Sequence, residues 1–254
     1  MSQDDMGTAA QSLDAWSIYD TFEGGVLDSD LWTSVSPPLP GGGYARHDPN
    51  VQVSCSGNGV VVVIREFSQS HATFQLADAV RFVMLSRGFS LPGDGPATFG
   101  VDMRARSLGG TSLDVRLGAA SFNVVAEEGG LVFDIISTSS RVCALRERLA
   151  FAVGDDAAFT YLIESPLLPI EDDPDAFRSC EITIDRRRGS AEWKVDGHPI
   201  YHQEQIEIPA SVKFGFGIFT LLPLTPTSGQ RLQGRGLEAA WRRFRFRGAI
   251  PREA

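Results

Sequence analysis

The segment Thr98-Phe-Gly-Val-Asp-Met-Arg-Ala-Arg106 indicates the fold class of the chain. Every odd-numbered position from Phe99 to Ala105 is apolar, whereas the even-numbered positions from Gly100 to Arg106 carry glycine, aspartate or arginine. Because side chains alternate between the two faces of a β-strand, this stretch predicts a strand with one dry face and one charged face. Such strands are typical of antiparallel sheets that cover a core on one side only.

Short β-rich runs of this kind recur from Trp16 to Gly248, separated by clusters of Gly, Pro, Asp, Asn and Ser. None of them keeps an apolar 3.6-residue period for more than about two turns, so helix is expected only in short pieces, near Ser70–Ala79 and Val142–Leu149. The predicted strands are Val51–Val53, Val60–Glu66, Phe82–Leu85, Thr98–Arg106, Ser112–Ala119, Leu131–Ile136, Phe159–Glu164, Glu181–Asp185, Ala191–Val195, Val212–Leu221 and Trp241–Arg247. This pattern predicts an all-β chain, folded as two stacked antiparallel sheets. We expect one sandwich domain over residues 16–248, a flexible N-terminal segment over 1–15 and a C-terminal tail over 249–254.

Charge and composition limit the partners. The 254 residues include 32 acidic and 23 basic side chains, a net charge of −9, which repels a nucleic-acid backbone. The arginines between Arg242 and Arg247 alternate with Phe244 and Phe246, as expected of a closing strand with its Phe side chains inward. We therefore predict no nucleic-acid partner, and expect a small organic ligand or a glycan instead.

The sequence contains no pattern typical of a membrane span, a metal site or a cofactor site. The longest apolar run, Val60–Ile64, is far shorter than the ~20 residues that cross a bilayer, and the acidic start has no apolar leader. The sequence therefore predicts a cytoplasmic protein without a membrane partner. Its three cysteines are widely spaced and lack a metal-ligand pattern, so no metal and no cofactor is expected. The oligomeric state stays open.

The segment Ser112–Ala119 repeats the alternation of the first strand, with Asp114 and Arg116 on its polar side. We predict that the two runs form an antiparallel hairpin around a turn at 108–110, which would interleave their Asp and Arg side chains. The resulting surface has two interpretations: a solvated layer of ion pairs, or the polar floor of a ligand groove. In the second case the ligand-binding residues are Asp102, Arg104, Asp114 and Arg116.

Several short segments resemble the concanavalin A-like lectin/glucanase superfamily of jelly-roll β-sandwiches. They are Asp20-Thr-Phe22, Leu27–Trp32, the strand 57–65, Ile182–Asp185, Trp193–Tyr201 and the closing Arg-Phe strand. The resemblance implies two antiparallel sheets that curve together, with a ligand on the concave face of one. It also implies that Trp32 is a core residue and that Asp196-Gly197 forms a turn.

Within that superfamily, the family 16 glycoside hydrolases carry an E-x-D-x-E strand that supplies nucleophile and acid/base. Retaining hydrolysis needs two carboxyl groups about 5–5.5 Å apart. The corresponding strand here is Leu131–Ser137, in which Asp134 is flanked by Val132 and Ile136 at the glutamate positions. The carboxylate pair is therefore missing, which argues against a glycosidase of that type. Asp134 remains the candidate catalytic residue, as a hydrogen-bonding group.

No other motif indicates a catalytic site. His198 and His202 lack the remaining residues of a helical zinc motif, and no nucleophile elbow, phosphate loop or dinucleotide fingerprint is present. Gly215 and Gly217 alternate with phenylalanines, which leaves room on one strand face for a ligand, a neighbouring backbone or an aromatic ring.

Three functional hypotheses follow. The first is an enzyme of specialised metabolism that holds a largely apolar small molecule in the groove and promotes cyclisation or isomerisation by confinement and hydrogen bonding, without a covalent intermediate. The second is a non-catalytic, lectin-like glycan-binding module. The third is a glycoside hydrolase with relocated carboxylates, such as Asp102, Asp114 and Asp134. We favour the first.

Overall fold

A computed structural model of the protein describes residues 15–34, 47–57, 59–68, 80–109, 114–164, 173, 175–221 and 234–252. Its strands are β1 (Ser17–Asp20), β2 (Trp32–Ser34), β3 (Val51–Ser56), β4 (Gly59–Ile64), β5 (Val80–Ser86), β6 (Phe89–Ser90), β7 (Pro96–Leu108), β8 (Ala119–Ala126), β9 (Leu131–Ser137), β10 (Val142–Arg148), β11 (Phe159–Glu164), β12 (Arg178–Asp185), β13 (Ser190–Val195), β14 (His198–Gln203), β15 (Ser211–Phe219), β16 (Gly236–Arg247) and β17 (Ile250–Pro251). Helix α1 (Ala150–Val153) and the 3₁₀ turns Val115–Leu117 and Asp155–Ala157 complete the elements. No helix in these ranges is long and apolar enough to cross a membrane.

The strands form two antiparallel sheets, which confirms the predicted fold class. Sheet A has the order β14-β13-β12-β7-β16-β4-β3, with β1 beside β16. Sheet B has the order β11-β10-β9-β8-β15-β5-β2, with β6 beside β15 and β17 beside β6. The apolar side chains of both sheets meet between them in a single large core, as expected of a sandwich.

The core is rich in aromatic rings. Trp32 is buried, as the resemblance implies, and its ring contacts Phe216 and Phe244 at centroid distances of 5.1 and 4.9 Å. The indole Nε1 of Trp241 in sheet A donates a 3.0 Å hydrogen bond to the carbonyl oxygen of Ser121 in sheet B. Packed rings and this inter-sheet hydrogen bond fix how the two sheets stack.

A β-bulge interrupts β16 between Arg242 and Arg245, where the register against β7 shifts. Arg243 takes the left-handed φ of 56°, and Phe244 turns fully into the core. The predicted inward Phe and outward Arg pattern is confirmed, but the bulge places two consecutive arginines on the outer face of sheet A.

The predicted hairpin between Thr98–Arg106 and Ser112–Ala119 is wrong. Both edges of β7 are already paired, with β12 on one side and β16 on the other, so β7 has no free edge for that segment. Val115–Leu117 instead forms a 3₁₀ turn, because the Asp114 side chain accepts a 3.0 Å hydrogen bond from the Arg116 amide and caps it.

Other differences concern boundaries. The helix expected near Val142–Leu149 is strand β10, whose residues are buried because β9 and β11 flank it. Ile250 and Pro251, placed by the sequence in the C-terminal tail, pair with β6. The turn at Asp196-Gly197 is confirmed, with φ angles of 51° and 78°. Most of the N-terminal segment and the possible helix at 70–79 lie outside the described residues.

Candidate functional site

An apolar cleft opens on the outer face of sheet B, the face turned away from the core. Strands β5, β15, β8 and β9 form its floor, and helix α1 borders it. Its volume is about 130 Å³, comparable to cavities that hold one benzene-sized group. The apolar residues of its wall include Val83, Leu85, Val125, Val132, Leu149 and Phe151.

Asp134 lies in the floor of this apolar cleft. In β9, Leu131, Phe133 and Ile135 point into the core, which leaves Val132, Asp134 and Ile136 on the outer face. The side chain of Asp134 is 0% exposed. Among the described residues, only the side chain of Asn123 acts as a hydrogen-bonding neighbour of its carboxyl group, and it lies outside regular hydrogen-bond geometry.

The surroundings of Asp134 favour its neutral form. Burial raises its pKa well above the ordinary range, and the nearby negative charge of Glu147 raises it further. Hydrogen bonding from the side chain of Asn123, its ladder partner on β8, lowers the pKa, and this effect is smaller than that of burial but larger than that of the Glu147 charge. Asn123 is itself oriented by Ser121, whose hydroxyl donates to the Asn123 Oδ1 atom at 3.0 Å. Burial thus shifts the equilibrium of Asp134 towards its neutral form.

Glu147 on β10 is a second buried acid on this face, and it is not among the site residues predicted from the sequence. Its ladder partner on β9 is Val132, two residues before Asp134, so the two acids are diagonal neighbours on adjacent strands, with Cβ atoms about 7 Å apart. Thr160 donates a 2.7 Å hydrogen bond to the Glu147 Oε1 atom, whereas Oε2 has no partner among the described residues. Burial raises the pKa of Glu147 to about 7.

A signal for Glu147 was present in the sequence. Read as a strand, β10 gives Glu147 the same parity as Cys143 and Leu145, so it belongs to an otherwise apolar face. The helical interpretation of Val142–Leu149 removed that parity and concealed the acid.

The glycines of β15 make room for a neighbouring strand. A Cβ atom added at Gly215 would lie 2.1 Å from the carbonyl oxygen of Met84, and one at Gly217 would lie 2.6 Å from that of Phe82. Of the three occupants that the sequence left open, the backbone of β5 is the one observed. Gly217 also lines the apolar cleft, where the absence of a side chain leaves space above the strand.

Asp102 and Arg104 lie on the opposite side of the sandwich, on the outer face of sheet A. Asp102 is 1% exposed and pairs with three arginines: Arg242 at 3.4 Å, Arg245 at 3.2 Å, and Arg243. Arg104 pairs with Asp175 at 2.6 Å and Glu238 at 3.2 Å. The expectation that Asp102 and Arg104 form the floor of the ligand groove is therefore not met at the apolar cleft, because β7 belongs to sheet A and the cleft lies on sheet B.

Asp114 and Arg116 bind each other across a 2.7 Å salt bridge in the 3₁₀ turn before β8. Hydrogen bonding from Arg116 lowers the pKa of Asp114, and partial burial opposes that shift. Since neither residue lines the apolar cleft and Asp102 is in the other sheet, the structure does not assemble Asp102, Asp114 and Asp134 into a hydrolytic site. What it brings together is Asp134 with Asn123, Ser121 and Glu147.

Comparison with known families places the chain. A family model described as a family of unknown function, DUF6081, matches residues 19–249. The chain belongs to this family. No curated protein matches its sequence.

Solved structures show what fold this DUF6081 chain shares. It is similar to an endo-1,3-beta-glucanase from Streptomyces sioyaensis, with 13% identity, a TM-score of 0.55, and coverage of 96% of this chain and 100% of that one. LamA from Z. galactanivorans, in complex with laminaritriose and laminaritetraose, is 10% identical with a TM-score of 0.57. The match covers 93% of this chain and 100% of that one. The kappa-carrageenase from Pseudoalteromonas carrageenovora, in complex with an oligotetrasaccharide of kappa-carrageenan, is 11% identical with a TM-score of 0.54. The match covers 98% of each chain. The predicted concanavalin A-like jelly roll is confirmed, and at these identities the likeness concerns the fold alone.

Proposed function

We propose that this chain is an enzyme that binds a largely apolar small molecule in the cleft of sheet B and promotes its cyclisation or isomerisation, without a covalent intermediate. One observation carries the proposal: a fully buried carboxyl group lies in the floor of an otherwise apolar cleft, and Asn123 is its one hydrogen-bonding neighbour among the described residues. A buried carboxyl group with so few polar partners costs free energy, so its retention supports a role with a ligand.

The chemistry needs no triad. Apolar walls exclude water and strengthen any hydrogen bond that Asp134 donates to a ligand oxygen. A neutral carboxylic acid in an apolar site stabilises negative charge that develops on a carbonyl oxygen during reaction. Confinement of a flexible molecule in a reactive shape contributes up to about 7–11 kcal/mol more.

Glycan binding is the second candidate. It is favoured by the solved structures of similar fold that hold oligosaccharides and by Phe151, which lies half exposed beside the cleft and offers a stacking surface. Against it, the wall of the cleft is mostly aliphatic, whereas a sugar presents hydroxyl groups that need polar partners. A cytoplasmic location and a role in specialised metabolism stay predictions.

A binding experiment separates the two candidates. Cyclohexanone and laminaritriose are each titrated into ¹⁵N-labelled protein, and amide shifts are followed. We expect cyclohexanone to move the signals of Asn123, Val132 and Gly217, and laminaritriose to leave them unchanged. The reverse result would replace the proposal with glycan binding.

Paired variants test the location of binding. Val125→Phe fills the apolar cleft and is expected to weaken cyclohexanone binding at least tenfold. Val63→Phe is the matched control, since Val63 is a partly exposed valine on the outer face of sheet A. Equal loss in both variants, or in neither, would contradict the assignment of the cleft.

A further inference from the structure

Arg146 on β10 is a buried arginine without an acidic partner among the described residues. It is 7% exposed, and its ladder partner on β9 is Phe133, so its side chain lies on the core-facing side of sheet B, opposite to the apolar cleft. Its Nη1 atom donates a 3.3 Å hydrogen bond to the Gln203 side chain, and its guanidinium group lies 4.7 Å from the ring centre of Phe159. In the described part of the chain, no carboxylate lies within ion-pair distance of it.

Arginines that are shielded from solvent elsewhere in the sandwich do have acidic partners. The side chains of Arg104, Arg178 and Arg245 are 19%, 18% and 11% exposed, and each pairs with at least one carboxylate. A buried charge without a counter-ion costs free energy, and a guanidinium group does not avoid this cost by losing its proton. Arg146 therefore carries a positive charge that an anion from outside the described residues would balance.

The guanidinium group of Arg146 lies at one edge of the sandwich, where β10 and β11 of sheet B approach β14 of sheet A. Its Nε atom is buried without a partner, whereas its Nη2 atom is not fully buried and donates to none of the described residues. Tyr161, its ladder partner on β11, is 51% exposed, and its ring centre lies 5.0 Å from that of Phe159. A molecule that approaches this edge meets a guanidinium group beside an exposed aromatic ring.

Arg148 adds a second guanidinium group on the same face, 6.0 Å from the ring centre of Phe159. Its counter-ion is Glu207, an exposed acid. Two arginines and one glutamate leave one positive charge, which suits a monoanion better than a dianion. The planar guanidinium group matches the geometry of a carboxylate, and the open ring of Tyr161 suits an aromatic body.

We propose that Arg146, Arg148 and Tyr161 form a binding site for a small aromatic carboxylate, separate from the apolar cleft. The carboxylate accepts hydrogen bonds from Arg146, and the aromatic ring lies against Tyr161. This site goes beyond the proposed function, because it lies on the other face of β10 and takes a charged ligand. Binding there and binding in the cleft can therefore fail independently.

The test uses sodium benzoate, titrated into ¹⁵N-labelled protein while sodium chloride keeps the ionic strength constant. We expect saturable shifts of the Nε–H signals of Arg146 and Arg148. Arg146→Met keeps an unbranched side chain against Phe159 but removes the charge, and should weaken benzoate binding by about 10–100-fold. Glu207→Gln frees Arg148 from its acid and should tighten binding by about 2–5-fold.

Two control variants locate the site. Arg178→Met removes a half-buried arginine of sheet A and should leave benzoate affinity unchanged. Val125→Phe fills the apolar cleft and should also leave it unchanged, while it weakens cyclohexanone binding. If Arg146→Met does not fold, Tyr161→Ala decides in its place, since this half-exposed side chain should account for about 2–10-fold of the affinity.

The outcomes separate this site from the cleft. The carboxylate site is overturned if benzoate causes no saturable shifts, if Arg146→Met binds it as tightly as the parent protein, or if Val125→Phe is the variant that loses binding. If benzoate binds as expected and cyclohexanone does not bind, only the proposed function of the cleft fails.

Discussion

Asp102 and Asp134 occupy matching places in the two sheets, yet their surroundings are opposite. Each points outward from a strand inside its sheet, and each is buried almost completely. Around Asp102 the bulge of β16 gathers three arginines, whereas around Asp134 the neighbouring strands supply an amide, an apolar wall and another acid. An outward-facing aspartate is thus structural in sheet A and a candidate catalytic residue in sheet B. The side chains of the adjacent strands determine which of the two roles it has.

The largest effect is expected from removing the charge of Asp102. Asp102→Asn leaves three arginines without their shared counter-ion, but Arg242 and Arg243 are partly exposed to solvent and Arg245 keeps Glu181 as a partner, so we expect a loss of about 2–3 kcal/mol. The free energy of unfolding, measured by urea denaturation, should fall by that amount. Asp175→Asn removes an exposed partner of Arg104 and serves as the control, with a loss below about 1 kcal/mol. Equal losses of unfolding free energy in the two variants would contradict the expectation that the buried ion pairs of Asp102 contribute more than the exposed pair of Asp175.

Glu147 is expected to make stability depend on pH. Its pKa is raised from 4.5 to about 7 in the folded protein, so the folded state holds more protons than the unfolded state between those values. Stability should therefore fall as pH rises through this window, by up to about 3 kcal/mol. In Glu147→Gln this fall should be smaller, because only the raised pKa of Asp134 then contributes to it, and thermal unfolding at pH 4.5 and 8 would show the difference. A parallel fall in the variant would mean that another group is responsible.

The smallest effect is expected at the exposed pair of Asp114 and Arg116. Arg116→Ala breaks their salt bridge, and partly exposed pairs of this kind contribute about 0–1 kcal/mol. Cyclohexanone affinity should not change, because neither residue lines the cleft. A loss of affinity in this variant would return the 3₁₀ turn to the ligand site, as the sequence first suggested.

Local alternation was enough to predict the fold class. The period of two in Thr98–Arg106 and the paired runs on either side of 186–189 identified β7, β12 and β13, and the short resemblances identified the jelly roll. The alternation also placed Asp134 between Val132 and Ile136 on one face. These features depend on residues close together in the chain, so the sequence displays them directly.

The neighbours of each acid could not be predicted in the same way. Asp102 meets Arg245 across 143 positions of the chain, and nothing local specifies that pairing. The apparent partner strand at Ser112–Ala119 had the right period, but a side-chain cap directed it into a 3₁₀ turn. Glu147 escaped notice because β10 is buried on both faces, so its apolar run lacks a clear period.

The function proposed for the cleft depends on the protonation state of Asp134. The carboxyl carbon of Asp134 is followed by ¹³C NMR during a pH titration of the folded protein, with Asp134→Asn used to assign the signal. We expect the chemical shift of a protonated acid at neutral pH, because burial raises the pKa of Asp134 well above its usual range. A carboxylate signal at neutral pH that titrates near the ordinary aspartate pKa would overturn the role proposed for Asp134.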